Sequence, residues 1–384
     1  MSVYLTLKEV WRNRGRFFLF GLVIALITVL VLFIAGLAEG LATANREYLS
    51  KLDGELIVFQ EDVKLSTLTS RLGSDTLQKT RRVPGVIDVG AVGLSNASLV
   101  FGNGQEDLDI SLIGVQPGKP GGASALEGRD LLSARAFETV IDRNVVSRTG
   151  LQVGDTITLK SIQGTEEEYF SLKIVGISDG RQYFFQPSIF VPMQVWDQLR
   201  PQPSSSNLSD DPAYNILVVR LADPAAQAEM AGQIEAMVGG VEVVDRVTAY
   251  EASPGYQAQQ STLNTQRGFT LLIGILVIGG FFQIQTLQKV PNIGMLKAVG
   301  ASNGTVGTAV VLQILLVTVF GVLFGTLGTL LLSLGLPQEV PILFTQTSIA
   351  AAMLSLLVIG PIGGLVSVRL ALKVEPLMAL GLSS

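Results

Sequence analysis

Apolar and polar positions are not mixed along this chain; they come in blocks. One apolar block runs from Phe17 to Ala38. About 220 more polar residues follow, and three further apolar blocks close the chain, at roughly Gly268–Leu287, Val306–Leu336 and Ile349–Leu370. Each reaches the ~20 residues that a helix needs to cross ~30 Å of hydrocarbon. The pattern predicts an α-helical membrane protein with four transmembrane helices, one plus three. A large α+β extracytoplasmic domain is expected between helices 1 and 2.

The expected boundaries follow the blocks. Residues 1–16 form a cytoplasmic segment, 17–45 helix 1 and a stalk, and 46–266 the extracytoplasmic domain. Helix 2 takes 267–288, a cytoplasmic connecting segment 289–304, and helix 3 305–336. A short outer loop covers 337–348, helix 4 covers 349–370, and 371–384 form a cytoplasmic tail. At about 22 residues the first apolar run exceeds the ~7–15 of a signal peptide, and no clean A-x-A site follows, so it predicts an uncleaved anchor.

Basic residues set orientation. Lys8, Arg12, Arg14 and Arg16 precede the first apolar run, opposed only by Glu9. The link between the second and third runs holds Lys289 and Lys297 and no acid, while Arg369 and Lys373 flank the end of the fourth. The link between the third and fourth holds Glu339 and no base. All four segments agree if both termini are cytoplasmic.

The polar block reads as short strands and two helices. Strands are expected at Glu55–Gln60, Leu108–Val115, Thr156–Leu159, Phe170–Ile177, Ser188–Val191 and Ile216–Leu221, bounded by Gly, Asp and Pro. Amphipathic helices are expected at Ser66–Thr80 and at Pro224–Val238, the latter capped by Asp223. Pro117–Gly122 and Pro201–Pro212 read as loops. Ala42–Leu52 continues the first helix outward, and Thr248–Arg267 leads back to the second.

Charge and composition exclude several functions. Residues 46–266 carry 18 Lys and Arg against 28 Asp and Glu, an acidic body unsuited to nucleic acid. The chain has no cysteine and no histidine, which removes disulfides, His-based acid–base chemistry and His metal or haem ligation. No G-x-S-x-G, H-E-x-x-H or G-x-x-x-x-G-K-[ST] occurs, so neither a hydrolase site nor a nucleotide cradle is expected. No intrinsic cofactor or metal follows. Glu166–Glu168 reads as a solvated turn rather than a metal site. Asp107 and Asp109 read as water-facing strand positions. Tyr183, Phe184 and Phe185 read as a loop packing on its own domain, with a small-molecule contact as the alternative. The apolar segments carry no mid-membrane ionisable group in helices 2 to 4, which argues against a gradient-driven carrier.

The link after helix 2 holds the sharpest motif: Ile293-Gly294-Met295-Leu296-Lys297-Ala298-Val299-Gly300-Ala301. It resembles the I-G-x-L-x-A-x-G-A signature of MacB/FtsX-type ABC permeases. The resemblance implies a cytoplasmic coupling helix docking on two copies of a separate ATPase, with Ile293, Gly294, Leu296, Lys297, Ala298, Gly300 and Ala301 as the coupling residues. Pro291-Asn292 stands where many members have Arg-Glu, and so departs from the family in the charged part of docking. Asp142–Leu159 and Ala371–Leu380 resemble the same family's extracytoplasmic turn-and-strand segment and C-terminal tail.

Within that family, Leu5–Leu41 is most similar to HrtB-type haem exporter permeases. The shared features are Lys8-Glu9, an Arg14-Gly15-Arg16-Phe17 start and an Ala35-Gly36-Leu37-x-x-Gly40-Leu41 exit. DevC-type glycolipid exporters are the near second. The resemblance implies export of a lipophilic substrate, haem favoured, by a permease homodimer in membrane lipid, with ATP used by the partner subunit. Glu39, with Phe33 and Leu37, is the candidate substrate contact. Gly279-Gly280, Gly321-x-x-x-Gly325, Gly360 and Gly363-Gly364 let helices approach closely, either within one subunit or across a dimer. Three alternatives remain: an FtsX-like mechanotransmitter, a lipoprotein- or glycolipid-release permease, and a membrane-anchored receptor.

Overall fold

The computed structural model describes residues 11–12, 14–102, 106–202, 213–253, 256–335 and 342–373. These fall into two compact units: Leu41–Gln259, and Met1–Gly40 together with Gln260–Ser384. Parts of the expected N-terminal segment, of the 201–212 loop, of the 337–348 loop and of the C-terminal tail lie outside the described residues. Lys8, Glu9 and Glu339 are among them.

In the unit Leu41–Gln259 the elements alternate rapidly. The end of α1 (Arg14–Ser50) enters it, followed by β1 (Leu56–Gln60), α2 (Ser74–Arg81), β2 (Val86–Val100), β3 (Leu108–Val115), β4 (Ala125–Gly128) and β5 (Glu138–Asp142). Next come α3 (Arg143–Thr149), β6 (Thr156–Gln163), β7 (Glu166–Ser178), β8 (Ser188–Pro192), α4 (Met193–Leu199) and β9 (Ile216–Leu221). A 3₁₀ turn (Pro224–Ala226), α5 (Gln227–Val238), β10 (Val241–Asp245) and α6 (Arg246–Glu251) complete it.

One long strand organises the sheet. The N-terminal half of β2 pairs with β9, its C-terminal half with β3, and its last residues, Ser98–Val100, with β6. Because β3 pairs with β8, β8 with β5, β5 with β7, and β7 with β6, the hydrogen bonding returns to β2. Six strands thus close on themselves, which removes their free edges. β9, β1 and β10 extend from β2 as an open, antiparallel wing.

The pleat sends alternate residues to two cores. In β1, Leu56 and Val58 join the cluster containing Leu77 of α2 and Met230 and Ile234 of α5; Ile57 and Phe59 join the other. That second cluster is filled by Tyr48, Leu49 and Leu52, at and just beyond the end of α1. Hydrogen bonds fix this helix end. Tyr48 donates its N–H to Gln182 O (3.0 Å) and its hydroxyl to Gly121 O (2.8 Å), while Arg181 donates to Lys51 O (2.7 Å). Tyr183, from the same loop, packs edge-on against Tyr48, bonds to the Thr67 hydroxyl and is buried; burial pushes its phenol up to about 12. The loop therefore packs on its own domain, as expected.

Asp142 holds that loop. Its carboxylate caps α3 through Val145 N–H (2.8 Å) and also accepts from Arg181 and Ser188 N–H (both 3.2 Å) and from Asn144 (3.1 Å). Burial nevertheless raises its pKa, because desolvation outweighs these donors. After α3, Gly150 closes the helix in the left-handed region and Leu151–Asp155 turn into β6.

Several expectations are corrected here. The helix expected over Ser66–Thr80 begins only at Ser74. Leu72 instead exchanges two backbone hydrogen bonds with Tyr214 (2.8 and 2.9 Å), which withdraws its backbone from a helix. Glu166–Glu168 is the exposed start of β7, paired with Gln163, Ile162 and Ser161, and the turn is Gly164-Thr165. β2, β4, β5 and β10 are strands that the sequence pattern did not mark. Thr248–Arg267 leads back as expected, through the end of α6 at Glu251 and the start of α7 at Tyr256.

The other unit contains the body of α1, most of α7 (Tyr256–Gln288), α8 (Val290–Ala298), α9 (Asn303–Ser333) and α10 (Gln346–Lys373). α1, α7, α9 and α10 are long and apolar enough to cross a membrane. Their glycines pack within the subunit. A Cβ on Gly321 would lie 3.0 Å from Gly21 O, and one on Gly325 would lie 2.6 Å from Ala25 O and overlap Thr28, so α9 lies against α1. A Cβ on Gly279 would stand 2.8 Å from Gly363 O, joining α7 to α10. On Gly360 or Gly364 it would overlap Thr318 or Ile314, joining α10 to α9. A Cβ on Gly280, by contrast, meets nothing within 4 Å among the described residues.

This contrast gives a test. Gly325→Ala should destabilise the full chain by about 1–3 kcal/mol through overpacking. Gly280→Ala should leave it unchanged or slightly more stable, as expected for Ala in a helix. Thermal unfolding in detergent, with both variants beside the parent, reads the difference.

Candidate functional site: a capped helix between membrane segments

The motif singled out in the sequence lies on α8, a helix of 9 residues separated from α7 by Lys289 alone. Pro291 sits in its first turn, where a missing N–H costs nothing. Its far end is closed by two hydrogen bonds: Ala301 N–H to Leu296 O (3.0 Å) and Gly300 N–H to Lys297 O (3.0 Å). This pair defines a Schellman motif, which needs a left-handed residue where Gly300 stands with φ +103°. Ser302 then starts α9, its hydroxyl accepting from Thr305 N–H (3.2 Å). The Gly300-Ala301-Ser302 sequence is therefore a stop followed directly by a start, which keeps α8 short.

One side of α8 is fixed. Ile293 and Gly294 are buried, Ile293 in a small cluster with Val306 of α9 and Ala371 of α10, against which Ala301 and Val310 pack. One turn on, Lys297 donates to Leu372 O (2.8 Å) near the end of α10, where a cation satisfies a terminal carbonyl. Before the helix, Lys289 donates to Gln313 of α9 (3.0 Å) and lies over the Phe17 ring of α1 (5.4 Å). The short helix is thus tied to α1, α9 and α10.

The other side is apolar and exposed. Met295 is 61% exposed, Leu296 44% and Val299 86%. A soluble surface seldom groups three such residues on one helix without a partner. Of the residues expected from the sequence, Ile293 and Gly294 lie inward, Leu296 outward, Lys297 at the side, and Gly300 and Ala301 form the cap. Ala298 is exposed beside them. Met295 and Val299 were not anticipated. The signal was present as their i, i+4 spacing, but exposure depends on which face of α8 docks.

The candidate substrate residues lie elsewhere. Phe33, Leu37 and Glu39 are all half-buried on α1. Phe33 and Leu37 are one turn apart on one face. Glu39 is about 200° around the helix from Leu37, so a single helix does not bring them together. Among the described residues no cluster of three acids could hold a metal ion.

Comparison with known proteins agrees with this architecture. Residues 17–237 match the MacB-like periplasmic core domain, and residues 268–376 match the FtsX-like permease C-terminal domain. A Staphylococcus haemolyticus protein named as the HrtB permease of a hemin transport system is 28% identical over 374 residues, covering 97% of this chain and 98% of its own. Its namesake in Staphylococcus epidermidis is 26% identical over 381 residues, with the same coverage. Among solved structures, the extracellular domain of the ABC-type transporter YknZ aligns at 15% identity and TM-score 0.35, over 50% of this chain and 99% of that one. The periplasmic region of MacB from Actinobacillus actinomycetemcomitans aligns at 12% identity and TM-score 0.35, over 51% and 90%. The two domain matches together span both the polar body and the last three membrane helices, and the chain belongs to the MacB/FtsX-type family of ABC transporter permeases.

Proposed function

We propose that this permease is the membrane subunit of an ABC exporter in which two copies of a separate ATPase drive extrusion of a lipophilic cargo by a permease homodimer. The observation that carries the reading is α8: a helix capped at Gly300, anchored by Ile293 and Lys297, and presenting Met295, Leu296 and Val299 outward. Such an element passes a push received on its exposed face to α1, α9 and α10. The arginines at the start of α1 and the lysines Lys289 and Lys297 at α8 support an orientation with both termini and α8 in the cytoplasm. The acidic body is then extracytoplasmic, in the plasma membrane of a bacterium.

Haem is the favoured cargo. Two relatives named for hemin transport span nearly the whole chain. With no histidine and no cysteine in the sequence, an iron ligand from this protein is a carboxylate, a tyrosinate or a thioether, and Glu39 is the carboxylate just past the apolar run of α1. In a two-fold homodimer the same face of α1 meets itself, so two copies of Glu39 would face one cargo molecule, with Phe33 and Leu37 turned to the other side of the helix.

Two experiments test the reading. Met295→Asp combined with Val299→Asp changes only exposed positions, so the permease should fold normally while co-purification of its ATPase falls about ten-fold or more. Undiminished co-purification would remove α8 from the coupling role. Haem added to the purified permease should give a saturable Soret shift that Glu39→Ala abolishes. A shift of equal size in both would move the ligand away from Glu39, and no shift in the parent would move the cargo to another lipophile.

A further inference from the structure

A second site is outlined on the membrane unit, at the opposite end of the apolar run of α1 from Glu39. A groove of about 560 Å³ runs between the start of α1 and the middle of α9. Its walls include Arg14, Gly15, Phe18, Leu316, Val317 and Phe320, and its size falls within the ~300–1,000 Å³ of ordinary ligand clefts. Gly15 leaves it open at one end, since a Cβ there meets nothing within 4 Å among the described residues. Phe18, Leu316 and Phe320 are exposed, so the apolar wall has no cover among the described residues.

The open end is cationic. Arg14 lines the groove, is exposed, and has no ion-pair partner among the described residues; Arg12 and Arg16, also exposed, lie about 200° around the helix from it. Trp11 is 80% exposed one turn before Arg14, the position of an interfacial aromatic anchor. An apolar slot in a membrane helix pair, ending at the Arg14 guanidinium, matches one kind of molecule. That molecule has an acyl chain and an anionic headgroup.

We propose that this groove binds an anionic phospholipid, with the phosphate held by Arg14 and an acyl chain laid along Gly15, Phe18 and Phe320. A guanidinium pairs with phosphate in a bidentate manner, which distinguishes this site from a uniform basic collar. A second copy of the chain is a poorer occupant. In a two-fold interface the same patch meets itself, so each Arg14 would face another of like charge. The site is independent of the cargo and of which leaflet the arginines reach.

The test uses the full-length permease in detergent, titrated with phosphatidylglycerol or phosphatidylcholine of identical acyl chains and read by native mass spectrometry. The parent should retain phosphatidylglycerol about five-fold or more over phosphatidylcholine, the preference expected from one basic group at a lipid surface. Arg14→Gln should lower that preference about five-fold. Gly15→Leu, which fills the slot without a clash, should weaken both lipids alike. Thermal unfolding of both variants should match the parent, because both positions are exposed. Equal retention of the two lipids by the parent would overturn the proposal, as would a preference untouched by both variants. Competitive displacement of phosphatidylglycerol by haem would assign the groove to the cargo instead. Conversion of a dimer to monomers by Gly15→Leu would assign it to a second copy.

Discussion

Close approach of helix backbones at glycine is the constraint on which the membrane unit depends. In hydrocarbon, a leucine gains little by leaving lipid for another helix, so association relies on van der Waals fit and small residues. Gly321 and Gly325 bring α9 against α1, Gly279 and Gly363 bring α7 against α10, and Gly360 and Gly364 bring α10 against α9. The floor under α8 is made by Val306 and Ala371, one from α9 and one from α10. The position of α8 is therefore set by the glycine contacts. A helix pair held at larger separation would leave Ile293 without its seat.

The body Leu41–Gln259 rests on different physics. Strands β1, β3, β8 and β9 are buried on both faces, and closure of six strands around β2 removes edges that would otherwise invite pairing with other chains. Within this unit, the end of α1 is embedded in one of the two cores and hydrogen-bonded to the loop around Arg181–Tyr183. α1 runs unbroken from Arg14 to Ser50, whereas the return path is interrupted between Glu251 and Tyr256. The two connections to the membrane are thus of different kinds, one a continuous helix and the other a jointed one.

Much of this was legible in the residues, for identifiable reasons. Apolar runs of twenty or more residues seldom occur outside membrane-spanning helices, so the four long helices and the large insertion were evident. Strands such as Leu108–Val115 and Ile216–Leu221 were evident because Val, Ile and Leu dominate them. β2 was not, since Gly90, Gly93, Ser95, Asn96 and Ser98 give it low β-propensity; its pairing comes from neighbours far away in sequence. Gly93 and its cross-strand partner Gly114 instead form a flat seat for the Trp196 indole, a purpose that only the fold reveals. In the candidate site, Gly300 and Ile293 were legible from the motif. The outward face of Met295 and Val299 was not, because it depends on how α8 docks. The separation of Glu39 from Leu37 needed only helix geometry.

The central claim is that α8 is the surface on which an ATPase acts. The natural chain has no cysteine, so a single introduced thiol reports one position without background. The most direct measurement is thiol cross-linking in membranes that contain the permease and its cognate ATPase. Val299→Cys, on the exposed face of α8, is compared with Ile87→Cys, an exposed position on the body. The account predicts a cross-linked permease–ATPase product from position 299 and none from position 87. No product from position 299, or products of equal yield from both, would contradict it.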